Sequence, residues 1–518
     1  HTARKQFCAI GSVKTNVGHL DAAAGVTGLI KVATMLNRGV IPASLHLDKP
    51  NPNIDFQQSP VFVSKTCTAW PRGGEARRGG VSSFGIGGTN AHTILEEAPP
   101  RSGDQGGRRL HVFPVSGASR SGLTEMLQQL ASFMRRSDIQ HSAANIAYTL
   151  QQGRAALRYR TSFVGSDLGT LADQLDQEAL QAGASREVSS IEHRIVFMFS
   201  GQGGQQIGMA RELYVEEPVF RSAIDECAKW LNELAHIDFR SLLYREANSD
   251  GELESQLEAI IQPVIFATQY AMAKLFNSWG IFPAAVIGHS IGEYAAAHFA
   301  GIISLPDAIR LTLKRGQLSS RVPAGGIVAV GLSPEELQPS WNESLSLAAI
   351  NGPRQCVVSG AASEIAAFHE QLQAKSIASK RIRASHAVHS SLLDPILPEF
   401  RIHAEQVELH APQVPFMSTV LGDWLEADVP LDGSYWVRNL RETVQFHLAF
   451  DRLVESGHEL LIEMGPGAAL TRHSRHFKSK SNLRSPVAFA ALPGGDHGQG
   501  DRLRLLHTLG KLWTCGVR

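Results

Sequence analysis

Residues 281–315 read IFPAAVIGHSIGEYAAAHFAGIISLPDAIRLTLKR. Ala285, Val286 and Ile287 form a short apolar run of the kind that makes a buried strand. Gly288-His289-Ser290-Ile291-Gly292 follows as a tight turn, and a helical pattern begins at once after it. Glycines flank the turn where a Cβ would crowd neighbouring backbone. A serine at such a strand-to-helix corner exposes its hydroxyl beside the free amides of the first helical turn. In a chain with 47 glycines, G-x-S-x-G alone also fits an ordinary surface turn. The strand before it and the helix after it favour a nucleophile elbow, and with it an α/β fold.

Around this stretch lie 518 residues, 43% of them hydrophobic, enough for roughly three units with cores of their own. Lys plus Arg and Asp plus Glu number 49 each, so bulk charge gives no reason to expect a nucleic-acid partner. The cysteines, Cys8, Cys67, Cys227, Cys356 and Cys515, are scattered without metal or thioredoxin spacing. No metal is expected, and the setting expected is reducing and cytoplasmic. No apolar run reaches the roughly 18 residues of a membrane span, and no signal peptide is seen. His1 to Phe7 is a polar lead-in set directly before a strand and a glycine-rich motif, as in a piece of a longer chain.

Residues 1–98 form the first block. CAIGSVKTNVGHLDAAAG predicts a strand, a turn bearing Lys14, Asn16 and His19, and an Ala-rich helix to about Leu36. Asp21 sits near that helix start, where a carboxylate is favoured. PNPNIDF is irregular, and VSSFGIGGTNAHTILEEAP closes the block. The glycines at 85, 87 and 88 have the wrong spacing for a dinucleotide loop, so no such cofactor is expected. GSVKTNVGH and SSFGIGGTNAHTILEEAP resemble the C-terminal part of a ketosynthase, the condensing domain of polyketide and fatty acid synthases. That resemblance implies a partial thiolase-like domain, with His19 and Lys14 as vestiges of its active site and Ile86 in its acyl channel. The family's nucleophilic cysteine motif and its HGTGT sequence are missing, and without a thiol there is no covalent intermediate to condense. No ketosynthase activity is expected of this chain.

Residues 99–190 open on the linker-like PPRSGDQGG and then read as a small α/β unit. HVFPVSGAS is a strand and SGLTEMLQQLASFMRR a helix that Ser121 would cap; a further helix and strand follow. This block resembles the linker between ketosynthase and acyltransferase, a structural spacer. Residues 191–482 are the main enzyme candidate. Ile195 to Phe199 form a buried strand, and the glycine-rich turn after it can aim backbone N–H groups at an anion. IIQPVIFATQYAMAKLF is a helix with Gln262 and Pro263 near its start. From about 321 to 388 short strands and a helix predict a small inserted subdomain. Residues 483–518 read as a glycine-rich loop and one short amphipathic helix.

Ser290 needs a base, since a serine hydroxyl is a poor nucleophile until its proton is taken. His389 in SHAVHS follows in the chain order of elbow enzymes. Glu463, Asp394 or a backbone carbonyl are the candidates to orient it. Arg315, in the otherwise apolar end of the quoted stretch, fits either an internal salt bridge or a carboxylate held by its planar fork.

Residues 195–482 are similar to malonyl-CoA:acyl carrier protein transacylases, specifically the acyltransferase domain of modular polyketide synthases. The similarity rests on GQGGQ (201–205), QPVIFA (262–267), GHSIGEYAAA (288–297), RG (315–316), NGP (351–353), HAVHS (386–390), YWVRNLR (435–441) and GPG (465–467). It implies a large α/β-hydrolase-like subdomain and a small ferredoxin-like one. It also implies Ser290 as acylated nucleophile and His389 as its base, oriented by a backbone carbonyl. Gln205 and Ile291 would supply the oxyanion-hole amides, and Arg315 would grip the free carboxylate of a malonyl unit. Gln262, Asn351 and His289 would be polar groups of the pocket. The substrate is then a coenzyme A thioester and the acceptor the phosphopantetheine thiol of an acyl carrier protein, with no bound cofactor and with the rest of the synthase module as partner. Ile291 and His386 match malonyl-type sequences, whereas Val388 stands where those have Phe and leaves space for a methylmalonyl or larger unit. A serine hydrolase shares the elbow but has no use for Arg315. A non-catalytic scaffold would not need Ser290, His389 and Arg315 together.

Overall fold

The computed structural model describes residues 2–99, 107–138, 141–181, 186–188, 193–244, 260–338, 344–382, 386–426, 431–475, 477, 485–492 and 500–517. The chain divides into two compact units, residues 1–106 and 107–518.

In the first unit, strand Cys8–Ile10 pairs in parallel with Val61–Val63. Lys14 lies in a short helix, Lys14–Val17, rather than in a turn. The Ala-rich helix runs Ala24–Arg38 and ends on Gly39 in the left-handed conformation. The closing motif folds as a hairpin of Arg78–Phe84 and Asn90–Glu96, which the sequence reading did not foresee. His19 and Lys14 are exposed, and Ile86 stands fully exposed near the hairpin turn.

The second unit opens with β1 (His111–Gly117), α1 (Arg120–Met134), α2 (Ala143–Gln152), β2 (Tyr159–Gly165) and α3 (Leu168–Leu180). β1 and β2 pair antiparallel, and a short strand at Arg186–Glu187 joins β2. The cap of α1 is Ser119, whose Oγ accepts from Gly122 N, and not Ser121; the chain turns helical two residues earlier than expected.

The main body follows with β3 (Ile195–Phe199), α4 (Pro218–Ala235), α5 (Ile261–Ser278) and β4 (Ala285–Gly288). The helix after the elbow is two helices, α6 (Gly292–Phe299) and α7 (Leu305–Ser319). Gly301 at φ +80° breaks them apart, and Ser304 caps the second through Asp307 N. The insertion consists of β5 (Gly325–Val330), β6 (Ser346–Gly352), β7 (Gln355–Ala361), α8 (Ala362–Ala374) and β8 (Ser379–Ile382). Its antiparallel sheet has the order β6-β7-β5-β8, a ferredoxin-like lobe with its own core around Val328, Val358, Ile365 and Phe368.

Beyond it come α9 (Leu397–Ala404), β9 (Phe416–Ser418), β10 (Asp423–Trp424), α10 (Gly433–Arg441), α11 (Phe446–Glu455), β11 (Leu460–Pro466), α12 (Ala469–Ser474), β12 (Val487–Leu492) and α13 (Asp501–Thr514). The large sheet has the order β10-β9-β4-β3-β11-β12, parallel except for β10. Its strands are apolar runs because both faces are covered. Phe197, Phe199 and Val286 face one core, while Val196, Met198, Ala285 and Ile287 face the other. Residues expected to be linker thus supply an edge strand, β12. Helix α13 packs back onto β2, where Arg160 donates to Trp513 O at 3.1 Å. Among the described residues no helix is long and apolar enough to cross a membrane.

Candidate active site

The site lies at the carboxyl ends of β3 and β4, where parallel sheets place ligands. His289 N donates to Phe199 O at 2.9 Å, extending the β3–β4 pairing into the turn. Ser290 follows with φ +53°, a left-handed backbone that a residue other than glycine holds only under constraint. Gly292 is required two residues on, because a Cβ there would sit 2.1 Å from Phe199 O. The turn after β3 is pressed in the same way: a Cβ on Gly204 would lie 2.0 Å from Pro466 O, so GQGGQ and GPG meet backbone to backbone.

Ser290 Oγ and His389 Nε2 are 2.6 Å apart, although 99 residues separate them in the chain. His389 Nδ1 lies 2.9 Å from the carbonyl oxygen of Glu442. A carbonyl only accepts, so Nδ1 carries the proton and Nε2 offers its lone pair to the serine hydroxyl. Neither sequence alternative takes that place. Asp394 pairs with Arg441. Glu463 is a buried residue of β11 whose carboxylate reaches the start of α12, where it accepts from Leu470 N, Thr471 N and Thr471 Oγ1.

Burial, reinforced by the charge of Arg315 and by His289, holds the His389 imidazole down to about 3, so the ring is neutral at physiological pH. Arg315 is 1% exposed. Its Nη1 donates to Gln262 Oε1 at 2.8 Å and its Nη2 to Ser290 Oγ at 3.1 Å, while Nε has no partner among the described residues. It forms no ion pair among those residues either. Burial pulls its pKa below the ordinary value. A buried cation that faces a nucleophile without a carboxylate of its own is a place for an anionic ligand.

His289 Nε2 and Asn351 Oδ1 are 2.9 Å apart, joining the elbow to the end of β6 in the small lobe. The Ile291 and Gln205 amides find no acceptor among the described residues, and Gln205 Oε1 accepts from Gly203 N at 2.6 Å. His386 and Val388 are half-buried near His389 in the chain, with His386 Nδ1 lacking a partner among the described residues. Residues 383–385 of the expected strand-like stretch lie outside the described residues.

Sequence reasoning missed the carboxylate beneath the elbow. Glu293 is fully buried and accepts from Thr419 N, Thr419 Oγ1 (2.8 Å), Tyr435 OH (3.0 Å) and Asn439 Nδ2 (2.8 Å). Burial pushes its carboxyl above the usual range, against the pull of those bonds. Asn439 Nδ2 also reaches Ser290 O at 3.3 Å. The legible signal was a charged residue at the start of an otherwise apolar helix, GEYAAAHF.

Comparison with known proteins gives the family and the fold. Residues 196–517 match the family described as acyl transferase domain, residues 50–164 the ketoacyl-synthetase C-terminal extension, and residues 1–48 the beta-ketoacyl synthase C-terminal domain. The chain is 38% identical over 479 residues to a phenolphthiocerol synthesis polyketide synthase of Mycobacterium marinum, covering 89% of this chain and 22% of that protein. It is 36% identical over 538 residues to the polyketide synthase GfsA of Streptomyces halstedii, covering 98% of this chain and 7% of that protein. It therefore spans less than a quarter of the length of these relatives. Among solved structures, the acyl transferase domain of SpnD in complex with 2-(pent-4-yn-1-yl)malonyl superimposes with a TM-score of 0.72 at 30% identity, covering 80% of this chain and 97% of that one. The acyl transferase domain of ZmaA gives 0.72 at 31% identity, covering 80% and 96%. The chain belongs to the acyl transferase domain family of polyketide synthases and carries a ketosynthase C-terminal segment and its extension ahead of that domain.

Proposed function

We propose that the chain loads an extender unit, a malonyl group, from coenzyme A onto the phosphopantetheine thiol of an acyl carrier protein. The observation that carries this reading is the buried Arg315, free of any carboxylate among the described residues and 3.1 Å from a serine paired with a neutral histidine. His389 takes the proton of Ser290 as Oγ attacks the thioester carbonyl. The Ile291 amide, with that of Gln205, is assigned to the developing oxyanion. Coenzyme A leaves as its thiol, taking the proton from His389, and the carrier thiol then reverses these steps on the acyl-serine. Arg315 holds the free carboxylate and so fixes the thioester over Ser290. Gln262 keeps the guanidinium in place, and Asn351 does the same for His289.

Support for a carboxylated acyl group also comes from the SpnD domain, which was solved with a 2-substituted malonyl. That substituent, with valine at 388, favours a second reading in which the same mechanism takes methylmalonyl or a larger unit. A methylene is worth only about 1–3 kcal/mol in such a pocket, so a small change of wall decides it. Intact-protein mass after brief exposure to malonyl-CoA and methylmalonyl-CoA in competition separates the two. A malonyl adduct absent in Ser290→Ala is the expected result. A methylmalonyl adduct would keep the mechanism and replace the substrate, and loss of the adduct to water rather than to a carrier thiol would make the protein a hydrolase.

A further inference from the structure

We propose that the end of helix α10 sets the distance between nucleophile and base, and that Asn439 is a positioning residue for Ser290. This rests on the reading of Ser290 and His389 as a reacting pair. Both sit on left-handed backbone, at φ +53° and +56°, and both lie outside regular helix or strand. Such conformations persist only where the surroundings over-determine them.

One turn of chain grips both. Asn439 Nδ2 reaches the Ser290 carbonyl at 3.3 Å and Glu293 Oε2 at 2.8 Å. Three residues on, the Glu442 carbonyl accepts from His389 Nδ1 at 2.9 Å. Glu442 is the first residue past α10, where the backbone turns extended (φ −80°, ψ 164°). The turn is itself anchored at both ends. Tyr435 OH binds Glu293, and Trp436 stacks on Tyr294 with centroids 4.2 Å apart. Thr443 Oγ1 donates to Leu347 O at 2.6 Å, and Val444 N to Ala348 O at 2.9 Å.

The amide of Asn439 is set to favour these contacts. Its Nδ2 faces two acceptors, while its buried Oδ1 has no partner among the described residues. An orphaned buried acceptor is destabilising, and an apolar side chain of similar size would not carry it. The orientation makes sense as a donor aimed at the elbow.

The test pairs two variants of the full chain. Asn439→Ala and Tyr435→Phe each remove one donor from Glu293 Oε2, but only the first also takes a donor from the Ser290 carbonyl, leaving it Glu293 N at 3.1 Å. Rates of acylation by malonyl-CoA are followed by mass, with Tm alongside. A misplacement of about 1 Å costs on the order of a hundredfold in rate. Asn439→Ala is therefore expected to lose about that much kcat with KM within about threefold of the parent, and Tyr435→Phe to lose at least about tenfold less at a similar drop in Tm. Equal losses of kcat in the two variants overturn the inference. If Asn439→Ala does not fold, Asn439→Ser, which keeps one donor, is compared with Tyr435→Phe on the same terms. Failure of the underlying reading is distinct: the parent itself would then form no adduct that Ser290→Ala abolishes.

Discussion

On the proposed reading, replacing Arg315 by alanine is expected to separate recognition of the acyl group from the chemistry on it. The substitution removes the guanidinium whose Nη1 and Nη2 meet Gln262 and Ser290. A carboxylate held by that fork gains two charge-assisted hydrogen bonds, each worth about 1.5–3 kcal/mol. Losing both amounts to roughly 3–6 kcal/mol, or about 10²- to 10⁴-fold in kcat/KM at about 1.4 kcal/mol per tenfold. An acetyl group has no carboxylate to lose, so its transfer is expected to stay within about tenfold of the parent. Serine acylation by malonyl-CoA and acetyl-CoA, each at several concentrations, gives the ratio directly. The variant also changes the base. Arg315 is the second cause, after burial, that holds His389 down. Without it the imidazole moves up towards its ordinary value, and the acid limb of acetyl transfer moves to higher pH. Equal losses for the two acyl groups, or an acid limb that does not move, would refute the reasoning.

The remaining predictions concern the base and the C-terminal segment. With His389 near 3, labelling of Ser290 by a serine-directed phosphonate is expected to hold its rate from pH 8 to about pH 5; an inflection near 6.5 would show an ordinary histidine. The same group affects stability. Its folded pKa is depressed, so its contribution is full above the unfolded value near 6.5 and is lost as pH falls towards 3, which acid titration of unfolding in the parent and a His389→Gln variant would reveal. Truncation after residue 485 removes β12 and α13, uncovering the edge of β11 and one side of β2. The shortened chain is expected to aggregate, and a monodisperse product on size exclusion would contradict this.

The elbow was readable because its constraints are local: a strand, two glycines and a helix start are neighbours in the chain. The small lobe was readable for the same reason, from short strands between turn residues. What could not be read from residue spacing is what the fold assembles at a distance. His389 offered three choices of partner on sequence, and the winner was the Glu442 carbonyl, which has no side-chain signature. Glu293 gave a local hint, yet its donors Thr419, Tyr435 and Asn439 lie more than a hundred residues away. VAFAAL reads as linker because it sits beyond a break in pattern, and only its pairing with β11 identifies it as strand β12. The hairpin of the first unit was hidden by glycines that read as a loop.

The contact between Arg160 and Trp513 spans 353 residues. On a ribosome adding about 5–20 residues per second, β1 and β2 would wait roughly 20–70 seconds for the helix that covers them. Through that interval the first sheet of this unit has one side without its final partner, while the large sheet and the small lobe are still being made. The last helix is therefore a timing element as well as a brace. It completes the earliest part of the unit only after everything between them has emerged, so that part has to remain soluble half-built.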